Sequence, residues 1–323
     1  MSKKRPDGRL GASTHMIRGG SIVGATMKVG MVGLDTSHCP AFAAILNEKE
    51  HEYHVPGAEV VAAYPGGSDL FSLSRNRVQG FTEELKGKYR ISLYDSIRDL
   101  AGDVDAILLE SVDGRQHLEQ FRQMARGKPV FIDKPFTTST ADAREIIKLA
   151  DETSTPIMSC SSLRYAAGIW GIVEENEQAV SCDAFGPAPI LEDYPGLFWY
   201  GIHSVEILFS FMGAGCKAVR CLPYEDTDVA VGEWNDGRTG IVRGTRFDQR
   251  ASGCVVHTDA STICAIAQST PPAYSLMLQR VVKFFKTGIC PINIEETFGI
   301  VSFLEAANSS KEQGGKALPT EPL

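Results

Sequence analysis

No CxxC pair occurs in the chain, and its eight cysteines, Cys39, Cys160, Cys182, Cys216, Cys221, Cys254, Cys264 and Cys290, stand singly. That scatter carries neither a zinc-ribbon spacing nor a disulfide framework, and it fits buried or idle thiols in a reducing compartment. A sustained Lys/Arg tract is also missing, and the formal net charge is −8. Nucleic-acid binding draws on clustered basic charge, so that class of partner is excluded. No run approaches the roughly 18 apolar residues of a membrane span. Residues 1–26 carry Lys3, Lys4 and Arg5 but lack the apolar core of a signal peptide. Their Gly, Ser and Arg content and absence of periodicity predict a disordered leader. The expectation is a cytoplasmic protein acting on a small molecule, with no nucleic-acid or membrane partner.

What is present is apolar material for two cores: 323 residues, 43% of them hydrophobic and 22% charged. From Lys28 short apolar runs alternate with helical patterns. Val29 to Leu34 reads as a first strand, followed by the polar turn Asp35-Thr36-Ser37-His38 and a helix from Pro40 to about Asn47. Glu59 to Tyr64 reads as a second strand, stopped by Pro65-Gly66-Gly67, where Pro fixes φ and Gly permits positive φ. Strands follow at Val104–Leu109, Pro129–Ile132 and Pro156–Cys160, with helices at about Gln116–Ala125 and Thr140–Asp151 between them. Repeated β-α-β units with short connections predict a doubly wound parallel sheet of Rossmann type over residues 27–162.

After Leu163 the rhythm changes. One helical stretch is expected near Ala167 to Glu177. Short β-branched runs follow at Cys216–Leu222, Asp228–Trp234, Gly240–Arg246 and Gly253–His257, separated by glycine-bearing turns such as Asn235-Asp236-Gly237. They predict antiparallel strands. Helices at about Ser275–Phe285 and Ile294–Asn308 close an α+β domain, residues 163–323, expected to carry substrate and oligomerisation surfaces.

Four segments resemble the Gfo/Idh/MocA oxidoreductase family: Val29 to His38, Asp133-Lys134-Pro135 for its Glu-Lys-Pro motif, Gly201-Ile202-His203-Ser204-Val205-Glu206 for its Gly-x-His-x-x-Asp segment, and Phe284 to Gly288 before Pro291 and Glu295-Glu296. The resemblance implies an NAD- or NADP-dependent dehydrogenase or reductase of a sugar, cyclitol or related polyol. It implies Lys134 and His203 as catalytic residues, and a homodimer or homotetramer. It also implies a cofactor region faced by Gly30, Gly33, Asp35, Thr36, Ser37, His38, Tyr64, Ser111 and Lys134. In a doubly wound sheet ligands sit beyond the carboxyl ends of the strands, where Asp35, His38, Glu110, Ser111, Asp133 and Lys134 all lie. His203 would serve as general base and Lys134 would support a developing alkoxide. A solvated surface lysine and a hydrogen-bonded core histidine are the plainer readings of the same two residues.

The departures from the family pattern lie in the cofactor loop. Gly-x-Gly-x-x-Gly aligns with Gly33-Leu34-Asp35-Thr36-Ser37-His38, so only the first glycine remains. Asp35 brings bulk and negative charge to where a diphosphate would lie, or else serves as a helix N-cap. The acidic residue that usually ends the second strand is absent from Ala63-Tyr64-Pro65-Gly66. Trp199 stands where the family's Asp-x-Gly-x-His segment has its carboxylate. Two further readings stay open. One is a non-redox lyase, isomerase or hydrolase of a carbohydrate acid, using Asp35, His38, Glu110 and His203. Such side chains suit Mn or Zn, but they show no recognised ligand spacing and no metal is assigned. The other is a non-catalytic sugar-binding relative.

Overall fold

The computed structural model describes residues 25–174, 177–247 and 251–323. The leader expected over residues 1–26 lies outside them except for Ala25 and Thr26. The first domain runs β1 (Met27–Val32), α1 (His38–Asn47), β2 (Ala58–Tyr64), α2 (Ser72–Tyr89), β3 (Ser92–Leu93), α3 (Ile97–Asp103), β4 (Ala106–Leu109), α4 (His117–Met124), β5 (Val130–Ile132), α5 (Thr140–Glu152) and β6 (Ile157–Met158). The six strands are ordered β3-β2-β1-β4-β5-β6, and every pair is parallel.

A parallel sheet needs cover on both faces, and its strands are accordingly near-continuous apolar runs. Val29, Met31, Val60, Ala106, Leu108 and Phe131 pack towards α1 and α2, whereas Val32, Ile107, Leu109, Val130 and Ile132 pack towards α3, α4 and α5. Gly30 belongs to this packing. A Cβ there would come within 2.4 Å of Leu100 Cδ2 on α3, so its missing side chain lets helix and sheet approach. Helices α3 and α5 start on side-chain caps, Ser96 accepting from Asp99 N and Ser139 accepting from Asp142 N.

The second domain adds β7 (Ala179–Pro187), α6 (Gly201–Met212), β8 (Cys216–Pro223), β9 (Thr227–Trp234), β10 (Thr239–Thr245), β11 (Gly253–Thr258), β12 (Thr262–Ile266), α7 (Ala273–Thr287), α8 (Ile294–Glu312) and β13 (Leu318–Pro319). Its sheet order is β12-β11-β7-β10-β9-β8-β13, antiparallel except for β7 against β10. Helix α6 packs against β7 and β10. Two glycines permit that approach: a Cβ on Gly240 would come within 2.6 Å of Leu208 Cδ1, and one on Gly186 within 2.9 Å of Ser204 Oγ. Helix α7 returns to the first domain and joins the core under α1, with Met277, Leu278, Val281 and Phe284 buried there.

The helix expected near Ala167–Glu177 does not form among the described residues. Gly168 and Gly171 adopt φ of 82° and 73°, outside the right-handed helical region. The segment instead runs beside β12, where Gln268 N donates to Ala167 O. Strands β7 and β12, in turn, were not anticipated.

Candidate functional site

The carboxyl ends of β1, β4 and β5 converge on one crevice. Gly33 follows β1 with φ 85°, and a Cβ there would lie 2.5 Å from both Ser111 N and Ser111 Cα. No L side chain fits that approach, so the retained glycine is fixed by the backbone of the β4 loop. Ser111 is itself buried, and its Oγ has no hydrogen-bond partner among the described residues.

Asp35, two residues on, is fully buried. Its carboxylate accepts from Val112 N (2.9 Å) and from Ser74 Oγ (2.6 Å), tying the β1 loop to the β4 loop and to α2. Burial raises its pKa against those two hydrogen bonds. The N-cap reading of Asp35 is corrected: Ser37 holds that position and α1 starts without a side-chain cap. Thr36 is buried, Ser37 is exposed, and Tyr64 is half-buried at the end of β2, its carbonyl accepting from Gly33 N.

Beyond Asp35 the crevice is bridged by polar contacts. Asp113 accepts from Ser68 Oγ (2.6 Å) and from Arg115 Nε (2.7 Å), and Gln116 Nε2 donates to Gly67 O (3.0 Å). The β2 and β4 loops are thereby joined. Tyr194 Oη, from the second domain, donates to Val112 O (3.3 Å) and accepts from Gly114 N (3.2 Å). His117 bridges the Ser111 and Phe136 carbonyls at 2.8 and 3.0 Å.

On the other side of Asp35, His38 packs its ring on Phe42 and on the edge of Tyr274 from α7, at centroid distances of 5.3 and 4.9 Å. His38 Nδ1 lies 2.7 Å from Asp133 Oδ2 and 3.9 Å from Glu110 Oε2. The shorter contact is off the line of a ring N–H, so Nδ1 makes no hydrogen bond. Glu110 is 0% exposed and neither of its carboxylate oxygens has a partner among the described residues. Burial pushes its pKa well up, and the Asp133 charge adds to the shift while Lys134 opposes it. Burial also works against the Asp133 carboxylate, but His38 and Lys134 outweigh it and hold Asp133 below the ordinary range.

Lys134 is 7% exposed, and burial lowers its pKa against the pull of Asp133 and Glu110. Its ammonium lies 5.5 Å from the ring centre of Trp199 and 5.9 Å from that of Tyr200. Trp199 belongs to an aromatic wall with Phe71 and Tyr194, at 5.4 and 5.8 Å. At the position where the family pattern has a carboxylate, this chain therefore sets an aromatic ring beside Lys134.

His203, on the first turn of α6, bonds through Nδ1 to Ser161 Oγ (2.6 Å). Burial pushes its pKa well below the ordinary histidine value, helped by the charges of Lys134 and His38. The imidazole is therefore neutral at pH 7. Glu206, three residues along α6, faces away into a buried ion cluster with Arg164 and Glu296. Asp35, Ser111, His38, Glu110, Asp133 and Lys134 thus share one crevice, whereas Gly30 faces Leu100 on α3. The bridging pair Asp113–Arg115 and the covering Tyr274 carried no local sequence signal.

Residues 27–160 match the model of an oxidoreductase family with an NAD-binding Rossmann fold, GFO_IDH_MocA. Those residues form a Gfo/Idh/MocA domain. The fold as a whole resembles solved dehydrogenases of this type. Myo-inositol dehydrogenase from Lactobacillus casei, in complex with NAD(H) and myo-inositol, superposes with a TM-score of 0.70 at 16% identity, over 92% of this chain and 98% of that one. A probable dehydrogenase from Thermotoga maritima gives 0.70 at 19%, over 91% and 99%. UDP-N-acetylglucosamine 3-dehydrogenase GnnA from Acidithiobacillus ferrooxidans gives 0.69 at 16%, over 89% and 98%. No curated protein matches the sequence.

The fit of a dinucleotide to this Gfo/Idh/MocA domain turns on the β1 loop. A diphosphate needs backbone amides and open space beside the second and third glycine positions. Here those positions hold a buried carboxylate, already bonded to Ser74 and Val112, and the His38 ring, closed over by Tyr274. The loop as it stands does not present a diphosphate seat.

Proposed function

We propose that this chain is a non-redox enzyme of a polyhydroxylated acid, a lyase or isomerase that moves a proton at carbon with His203 and Lys134. The observation that carries the reading is the coexistence of two features. Lys134 and the neutral His203, the two residues implied by the family resemblance, are buried and half-buried respectively, while the turn that would bind phosphate is occupied by Asp35.

The chemistry follows from atoms already described. Ser161 holds His203 Nδ1, which leaves Nε2 free; with the proton on Nδ1 donated to Ser161 Oγ, Nε2 is the base. Nε2 takes a proton from the carbon next to a carboxylate or carbonyl, and the electron pair moves onto that oxygen. Lys134 Nζ donates to the oxyanion, inside a buried site where such a charge-assisted bond is strong. The intermediate then either expels a β-hydroxyl, which leaves as water with the proton carried by His203 Nε2, or is reprotonated from Nε2 at the neighbouring oxygen-bearing carbon to give the isomer. The Trp199 face holds the ammonium without neutralising it, as a carboxylate partner would.

A second reading is NAD(P)-dependent oxidation of a sugar, cyclitol or other polyol, with His203 deprotonating the hydroxyl. The family of residues 27–160, the retained Gly33 and the uncapped N-terminus of α1 favour it. Proton NMR of aldonates and uronates incubated with the protein in D2O, without nicotinamide, separates the two. The expected outcome is loss of the α-proton signal, slowed by about 10²- to 10³-fold in Lys134→Met. Absence of exchange, together with nicotinamide-dependent turnover of a polyol, would replace the first reading by the second. Half-exposed Val229, Val231 and Ile241 on the outer face of the second sheet support extending the proposal to a homodimer or homotetramer. Light scattering at a monomer mass would end that extension.

A further inference from the structure

We propose that His38, Glu110 and Asp133 form a divalent-cation site, suited to Mn or Zn, at the carboxyl end of the first sheet. One imidazole nitrogen and a carboxylate oxygen from each acid lie within 4.8 Å of one another. Ligand atoms about 2.1 Å from a single ion lie about 3 Å apart when adjacent and about 4.2 Å apart when opposite. The 2.7 and 3.9 Å separations from His38 Nδ1 to Asp133 and Glu110 are of that kind. Three protein ligands leave coordination positions for water or substrate. Mixed imidazole and carboxylate donors favour a first-row divalent ion over calcium.

Two observations separate this site from an ordinary acidic cluster. The first is Glu110, fully buried with both oxygens unpartnered among the described residues. Protonation does not resolve that, because the acid O–H would lack an acceptor and the other oxygen a donor. Buried polar groups are almost always paired, so a missing partner is expected here. The second is charge. Asp35, Glu110 and Asp133 are 0%, 0% and 2% exposed, and the Lys134 side chain next to Asp133 in the chain is buried as well, at 7%. With the three acids ionised and His38 neutral, as a ligating imidazole must be, the group carries an excess of two negative charges away from water, which one divalent cation neutralises. His38, with its side chain 11% exposed, offers the route of entry.

The site stands on these three side chains and not on the reaction proposed above, and its test reads metal rather than turnover. The full chain is stripped with a chelator and dialysed. It is then titrated with Mn²⁺, following the EPR signal of the free ion, and with Zn²⁺ against a chromophoric chelator. The expected result is one ion bound per chain with a rise in Tm. Affinity should fall by more than about 100-fold in Glu110→Gln and His38→Ala, beyond the roughly 10- to 100-fold loss typical of groups that only orient a ligand. The surface variant Glu48→Gln should bind as the parent does. Failure of the unaltered chain to bind either ion stoichiometrically overturns the proposal, whatever the variants do. Binding to Glu110→Gln and His38→Ala as tight as to the parent overturns it as well.

Discussion

Replacing Asp35 tests whether that residue closes the dinucleotide seat. Its carboxylate accepts from Ser74 Oγ and Val112 N at the turn where a diphosphate would meet the N-terminus of α1. A diphosphate charge about 5 Å from an ionised Asp35, at an effective dielectric of about 20, is repelled by about 3 kcal/mol. That corresponds to somewhat over 100-fold in affinity, and screening reduces it towards tenfold. Asp35→Asn removes the charge and keeps the bulk; Asp35→Gly removes both. NAD(H) and NADP(H) affinity, measured by calorimetry, should rise by about tenfold or more in Asp35→Asn and further in Asp35→Gly. Both variants pay in stability, because Ser74 and Val112 lose a strong acceptor, at about 1.5–3 kcal/mol for each bond to a charged group. Thermal unfolding reads that loss separately from binding. Unchanged or weaker affinity in folded Asp35→Gly would refute the reasoning about this loop.

Other substitutions probe the frame around the crevice. Gly33→Ala should fail to fold or lose several kcal/mol in denaturant unfolding, since the new Cβ meets the Ser111 backbone at 2.5 Å and φ is 85°; near-parental stability would show that the loop relaxes freely. Arg164→Met should cost about 3–5 kcal/mol by the same measurement, because it leaves Glu206 and Glu296 buried without their cation. The depressed pKa of His203 makes the folded state bind fewer protons than the unfolded chain below the ordinary value of 6.5. Stability contributed by the neutral ring is present above that pH and is lost as pH falls towards the folded pKa. Between pH 6.5 and 5.5 the parent should lose about 1 kcal/mol more than His203→Gln, and equal losses would contradict the assignment of a neutral, buried ring.

The first domain was legible because its strands are buried on both faces. Runs such as Val104–Leu109 and Pro129–Ile132 read directly as core strands, with error only at their ends. Strand β7 was not, because its buried face is Cys182, Ala184 and Gly186, small residues demanded by the close approach of α6. They carry little hydrophobic signal. The stretch from Ala167 reads as helix because its composition allows one, while the positive φ of Gly168 goes with its close approach to Ile266 O of β12, which no local pattern announces. In the site, Lys134 and His203 were placed by motif, and Glu110, Asp133 and His38 by their positions past strand ends. The contacts that give those residues their chemistry join parts of the chain far apart in sequence. Asp35 meets Ser74 39 residues on and Val112 77 residues on. Such pairings arise only when the loops close over one another.

The central claim is that Lys134 and His203 act together in a chain whose Rossmann domain has no working diphosphate seat. Calorimetric titration of the unaltered protein with NAD(H) and NADP(H) tests it most directly. The account predicts no saturable binding of either into the millimolar range, and saturation at micromolar concentrations would contradict it.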